Sequence, residues 1–316
     1  MTLTLKQILL TLFCWAVIFL PQQATASEVL IVNSSQRQPY LQAIAGLNRV
    51  LGGVSYQGVK TIQQTESELF AADSIQSDLL FNSKVKQHQA EVLVAVGAKA
   101  LAAVANLPLP IVYLMVVNPE KISQGKDNIT GVRVTVDPEK ELAAIAEYLP
   151  TVKKIGIIYD PDNSAAQIDL LTRAVLNNSR LTLLPREVSL AKEVNAVLTR
   201  IGPSVEALLL VPDTTVLTAE NLDIFSLYSL NSRKPLIAFA PQYLKHGAAL
   251  ALYSTPTAMG EQAGQMVLRL LAGETIDQIP PEASQTLTVE TNSRILNKLG
   301  FEAAGNAGFQ NGEGKP

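Results

Sequence analysis

Apolar and polar positions alternate between two patterns along most of the chain. Short apolar runs end in polar or glycine-containing turns, and segments with helical spacing follow them. "EVLIVNSS" from Glu28 predicts a buried strand ending in Asn33-Ser34-Ser35, followed by an amphipathic helix over Pro39–Leu51. "VSYQGVKTI" alternates as a second strand, and Gln63–Gln89 predicts a mostly helical segment with irregular ends. "EVLVAVGAKALAAVA" predicts strand, a turn at Gly97 and helix, and "PIVYLMVVNP" a strand ending at Asn118-Pro119.

After Thr130 the pattern restarts. "VKKIGIIYDPDNS", "RLTLLPREV", "VEALLLVPDTT" and "PLIAFAPQY" are successive strand candidates with helical stretches between them. "AEVLVAVGAKALAAVA" before "PIVYLMVV" parallels "VEALLLVPDTTVLTAENL" before "PLIAFAPQ", with Pro110 or Pro235 opening the next strand. Alternating strands and helices in two similar halves predict an α/β fold: two similar, doubly wound, mostly parallel lobes with short connections between them. Between the lobes, facing strand ends line a cleft. Roughly 290 residues is also more than one core usually organises.

The first residues follow another rule. Lys6 is the only early charge, the stretch from Ile8 to Leu20 is apolar, and Ala24-Thr25-Ala26 has the small residues of a cleavage site. That order predicts a signal peptide over residues 1–26, cleaved between Ala26 and Ser27, and a periplasmic product. The apolar stretch is shorter than the roughly 20 residues of a membrane span. An uncleaved anchor is the alternative, and Leu12-Phe13 before Cys14 lacks the small residues of a lipoprotein signal. The tail, 303–316, is rich in Gly, Asn and Glu and predicts disorder.

Composition then excludes several chemistries. Cys14 is the only cysteine and Trp15 the only tryptophan, so the mature chain has neither. A thiolate nucleophile, a disulfide and a cysteine-based metal site are therefore ruled out. His88 and His246 are far apart in sequence, so no metal cluster is expected and no cofactor. Loss of Lys6 takes the formal charge from −3 to −4. Without a basic tract, nucleic acid and anionic membrane are not expected partners. No GxSxG, HExxH, phosphate loop or GxGxxG follows a strand, so an enzyme is not expected.

"NITGVRV" (Asn128–Val134), "KIGIIYDPDNSAAQ" (Lys154–Gln167), "YLKHGAALALYSTPTAMGEQAGQMVLRLLAGE" (Tyr243–Glu274) and "TVETNSRILNKLGF" (Thr288–Phe301) occur in an order that carries a resemblance. The chain resembles the extracytoplasmic solute-binding proteins of ABC transporters that include tryptophan- and phenylalanine-binding members. The resemblance runs from about Glu28 to Phe301 and implies a type I periplasmic-binding-protein fold. It implies that the two lobes are joined by a three-segment hinge, with crossings near Val132–Val134, Ala251–Ser254 and Gln278–Gln285. Lobe 1 would then comprise 27–132 plus about 254–278, and lobe 2 about 133–253 plus 283–302. Gly260 and Gly264 would let the Thr257–Leu271 helix pack closely against lobe 1.

Ligands of open α/β sheets sit beyond the strand ends. A zwitterionic amino acid needs donors for its carboxylate and an acceptor for its ammonium. Asn33, Ser34, Ser35, Gly97 and Ala98 are candidate donors in lobe 1, where Gly97 serves either close backbone approach or a tight turn, and Asn118 closes a third strand. Asp160 and Asp213 are candidate partners for an ammonium, and Thr214 and Thr215 share the second loop. Asn163 and Ser164 are contacts or helix caps. Tyr159, Phe239 and Tyr253 are the aromatic candidates, with Tyr113 beside them.

The sequence departs from the family at such places. Ala98 replaces a hydroxyl residue after Gly97, Asp213-Thr214-Thr215 replaces a Thr-Asp-Asn loop, Asp160 replaces an Asn, and Gln242 replaces an acidic residue. The expectation is a periplasmic receptor, monomeric, that closes over a small polar solute such as an amino acid or related amine or carboxylate and delivers it to an ABC permease. The rival expectation is a sensory or accessory binding protein that signals to a membrane partner without transport.

Overall fold

The computed structural model describes residues 27–52, 59–65, 90–177 and 180–301. Two six-stranded sheets organise them. The first comprises β1 (Ser27–Asn33), β2 (Val59–Thr65), β3 (Ala90–Val96), β4 (Ile111–Leu114), β5 (Ile129–Val136) and, late in the chain, β11 (Glu282–Ser284), in the order β11-β5-β4-β3-β1-β2. The second comprises β6 (Lys154–Tyr159), β7 (Thr182–Glu187), β8 (Ala207–Leu209), β9 (Leu236–Ala238), β10 (Leu250–Tyr253) and β12 (Thr288–Thr291), in the order β12-β10-β9-β8-β6-β7. Every pairing is parallel except β10 with β12.

Among the described residues the α-helices are α1 (Gln38–Leu51), α2 (Ala98–Val104), α3 (Glu120–Ser123), α4 (Pro138–Tyr148), α5 (Pro161–Asn177), α6 (Val194–Ile201), α7 (Ala219–Ser232), α8 (Pro256–Leu271) and α9 (Ser293–Leu299). They cover both faces of each sheet, which is why the strands are apolar on both sides rather than alternating. In β1, Val29 and Ile31 pack in one core with α1 and α8, while Leu30 and Val32 pack in another with α2. In β6, Ile155 and Ile157 face α4 and α5, while Ile158 faces α6 and α7. Each such side chain contributes about 1.5–3 kcal/mol of apolar burial.

The chain passes between the sheets three times: from β5 into α4, from β10 into α8, and from β11 to β12. Helix α8 packs on α1 at a distance only glycine allows. A Cβ on Gly260 would lie 1.9 Å from the Ala43 carbonyl oxygen, and one on Gly46 would lie 2.1 Å from that of Thr257. Gly264 meets Val50 in the same crossing.

Two strands differ from the sequence pattern. The "PIVYLMVVNP" strand stops at Leu114 rather than at Asn118-Pro119, because Met115 (φ 57°) and Asn118 (φ 52°) leave the extended region. The second strand runs over Val59–Thr65, so Gln63–Thr65 are strand and not the start of a helix; the rest of that helix lies outside the described residues. The signal peptide over 1–26 and the tail over 303–316 also lie outside them. Among the described residues no helix is long and apolar enough to cross a membrane.

Candidate functional site

In a doubly wound sheet the order of strands reverses once, and the loops on either side of the reversal part to leave a crevice. In the first sheet the reversal falls between β1 and β3, and in the second between β6 and β8. The polar clusters singled out in the sequence occupy these two places.

At the first reversal, Asn33 is fully buried and folds back on its own loop: its Nδ2 donates to the Ser35 carbonyl (2.7 Å) and its Oδ1 accepts from Ser35 N–H (3.1 Å). Ser34 N–H donates to the Val96 carbonyl (2.9 Å), and its Oγ accepts from Ala100 N–H (2.7 Å), so Ser34 caps α2 across the crevice. Gly97 (φ 97°) is a turn residue whose open side is filled: a Cβ there would lie 2.7 Å from Tyr40 and 2.8 Å from Ser34 Oγ. Close approach at Gly97 thus serves packing within the lobe. Ala98 is exposed and Ser35 half-buried, both just beyond strand ends at this reversal.

At the second reversal a denser network forms. Asp160 is 8% exposed and Asp213 2%. Asp213 Oδ2 accepts from Asp160 N–H (2.8 Å) and Ser164 Oγ (2.8 Å), while Oδ1 accepts from the N–H groups of Thr215 (3.0 Å) and Val216 (3.1 Å). Asp160 Oδ1 accepts from Asp162 N–H (3.1 Å), and Oδ2 from Thr215 Oγ1 (2.6 Å) and Asn163 Nδ2 (3.2 Å). Asn163 Nδ2 also donates to Thr215 Oγ1 (2.8 Å) and Asp213 Oδ1 (3.3 Å). Asp160, and neither Asn163 nor Ser164, therefore caps α5, because its carboxylate and carbonyl both take N–H groups of the first turn. The two carboxylates stitch the β6 and β8 loops together, which is how buried acidic groups avoid the cost of lost hydration.

The aromatic candidates are engaged by partners within their own lobes. Tyr159 packs in the β6–α5 core and its hydroxyl donates to Glu187 (3.0 Å). Phe239 stacks at a tilt on Tyr243, with ring centres 5.1 Å apart. Tyr253 donates to Glu290 on the adjacent strand, and Tyr113 is core. Burial pushes the Tyr159 and Tyr253 phenols up, and the carboxylates they donate to push them further. Side chains alternate across a strand, so a residue near a strand end points to one sheet face and not along the strand.

The lobes meet beside the second reversal. Val116, Asn118 and Arg133 from the first-sheet side and Asn163, Gln167 and Leu170 from α5 line a cavity with about 40 Å³ of water-accessible space. Lys121 on α3 spans the junction and donates to Asn163 Oδ1 (2.6 Å). Arg133 binds Glu120 through Nε (3.0 Å) and Nη2 (2.9 Å), and donates to the Pro281 carbonyl (2.8 Å). Sequence reasoning stopped at Asn118-Pro119 and missed Glu120, Lys121 and Arg133. Arg133 stands in the quoted "NITGVRV" crossing, where an isolated cation was the available signal.

Two doubly wound lobes, each with polar loops at its strand-order reversal, define a type I periplasmic-binding-protein fold. The chain belongs to the ABC transporter substrate binding protein family, whose model matches residues 40–307. It is 21% identical over 250 residues to a tyrosine-binding protein of Clostridioides difficile (strain R20291), covering 76% of this chain and 70% of that one. The fold is similar to the ligand-free, open structure of a substrate-binding protein with adhesive properties from Clostridium difficile (TM-score 0.67, 20% identity, 89% of this chain and 97% of that one). It is also similar to an ABC domain in complex with L-Trp from Streptococcus pneumonia (TM-score 0.57, 19% identity, 87% and 95%).

Proposed function

We propose that the protein is a periplasmic receptor that closes two lobes over a small polar solute, an amino acid or a related amine or carboxylate, and hands it to an ABC permease. In this reading the lobes have the bounds given above, 27–132 plus about 254–278 and about 133–253 plus 283–302. The three passages absorb the backbone change on closure. The observation that carries the reading is the placement of both polar clusters at the strand-order reversals of the two sheets.

The exposed or half-buried groups Ser35, Ala98, Asn118, Asn163, Thr214 and Thr215 are the direct contacts in this reading. Asp160 and Asp213 position Asn163 and Thr215 and supply negative charge for an ammonium. The junction cavity is far below the ~300 Å³ at which small-ligand pockets begin, so a solute entering there has to spread the lobes. The tyrosine- and tryptophan-binding relatives make aromatic amino acids the first compounds to try.

The test is a dye-based thermal-shift screen of Ser27–Pro316 after unfolding and refolding, with amino acids, small carboxylates, amines, purines and sugars. A ligand at about 100 times its dissociation constant adds roughly 2.7 kcal/mol, a shift of several degrees for a chain of this size. A shift confined to one chemical class supports the receptor and names its solute. Silence across the library removes the solute-delivery reading.

A further inference from the structure

Helix α3 is tied to the hinge and to the opposite lobe by consecutive residues. Glu120 receives Arg133, which lies on β5 where the chain leaves the first sheet, and Arg133 also holds the Pro281 carbonyl just before β11. One guanidinium thus references α3 to two of the three passages. The next residue, Lys121, is exposed and reaches across the junction to Asn163 Oδ1 at 2.6 Å. The nitrogen of that same amide donates to Thr215 Oγ1 and to the Asp160 and Asp213 carboxylates. Asn163 is therefore held from both sides, its oxygen by an ammonium of the first lobe and its nitrogen by the loops of the second. The loop that leads into α3 carries Met115 and Asn118 at positive φ.

We propose that Lys121 is a positioning residue that sets the resting angle between the lobes and reads the state of the Asp160–Asp213–Thr215 cluster through Asn163. A solute that takes the Asn163 oxygen, or turns its amide, releases Lys121 and frees the angle. That last step rests on the receptor reading, whereas the resting angle does not. An exposed charge-assisted hydrogen bond is expected to change the ratio of two lobe arrangements by about three- to tenfold.

Ser27–Pro316 contains no cysteine, so Gln36→Cys with Leu190→Cys gives one labelled site on each lobe, both exposed and both beyond strand ends. Nitroxide pairs read by pulsed electron resonance report the lobe distance without any ligand. Lys121→Ala should shift or broaden the distance distribution, and Lys121→Arg, which keeps a donor, should restore it. Asn163→Ala should have the same effect as Lys121→Ala, and the double variant should add nothing. Identical distributions for parent and Lys121→Ala, or additive effects of the two substitutions, would overturn the proposal. A changed distribution in a protein that is silent in the thermal-shift screen would leave Lys121 in this role and remove only solute delivery.

Discussion

Glu141 is the sharpest point at which this fold departs from ordinary charge placement. It sits in the first turn of α4, one turn before the core residue Ile145, and is 3% exposed. A helix N-terminus favours an ionised carboxylate, yet burial wins and pushes the Glu141 carboxyl from 4.5 up to about 8. The sign follows from proton binding. Below about pH 4.5 both folded and unfolded chains hold the proton, and the group costs nothing. As pH rises the unfolded chain releases it while the folded chain keeps it, so stability falls until the folded carboxyl itself ionises near pH 8. At about 1.4 kcal/mol per pH unit the limit over this window is ~5 kcal/mol. Relaxation and water entry reduce it, and a loss of about 2–3 kcal/mol is expected.

Glu141→Gln keeps the shape and removes the titration. Urea unfolding followed by far-UV circular dichroism at pH 5, 6, 7, 8 and 9 measures both proteins. The parent should lose stability relative to the variant steadily across the series, with the gap levelling off above pH 8. Subtraction of the two curves cancels every other titrating group. Parallel curves from pH 5 to pH 8 would refute the reasoning, because they would mean that the carboxyl ionises in the folded chain as readily as in the unfolded one.

Three further substitutions test the packing and the reversals. Gly260→Ala places a methyl 1.9 Å from the Ala43 carbonyl oxygen and must push α8 off α1; overpacking of this kind costs about 1–3 kcal/mol, read as a fall of several degrees in Tm. Asp213→Ala leaves the N–H groups of Asp160, Thr215 and Val216 and the Ser164 hydroxyl without their acceptor, and should cost about 3 kcal/mol in urea unfolding, with Asp213→Asn milder. A fully stable Asp213→Ala protein would remove the structural role given to that carboxylate. Ser34→Ala removes the acceptor for Ala100 N–H, for which about 1 kcal/mol is expected; hydrogen exchange at that amide should accelerate while amides of β6 do not change.

Some of this molecule was legible as a string. Ile155 to Tyr159 must be a strand buried on both faces, because five apolar residues in a row cannot alternate between core and water. The family resemblance implies that Gly260 and Gly264, one helical turn apart, allow a close helix contact, and they stand where α8 crosses α1. Periodicity is a property of neighbours along the chain, and it determined the α/β class, the parallel layout and the places where polar loops stand.

What the string could not carry was direction and partnership. Tyr159 is beside a strand end in sequence, but the pleat of β6 sends its ring into the core and its hydroxyl to Glu187, 28 residues on. Asp160 reads as a free carboxylate until β8 brings Asp213, Thr215 and their loop against it across some fifty positions of chain. Lys121 carries no local pattern at all; its meaning arises where α3 meets α5, 42 residues apart. Hydrogen bonds are set by positions in space, and the order in which this chain winds and rewinds its two sheets decides which distant residues share one.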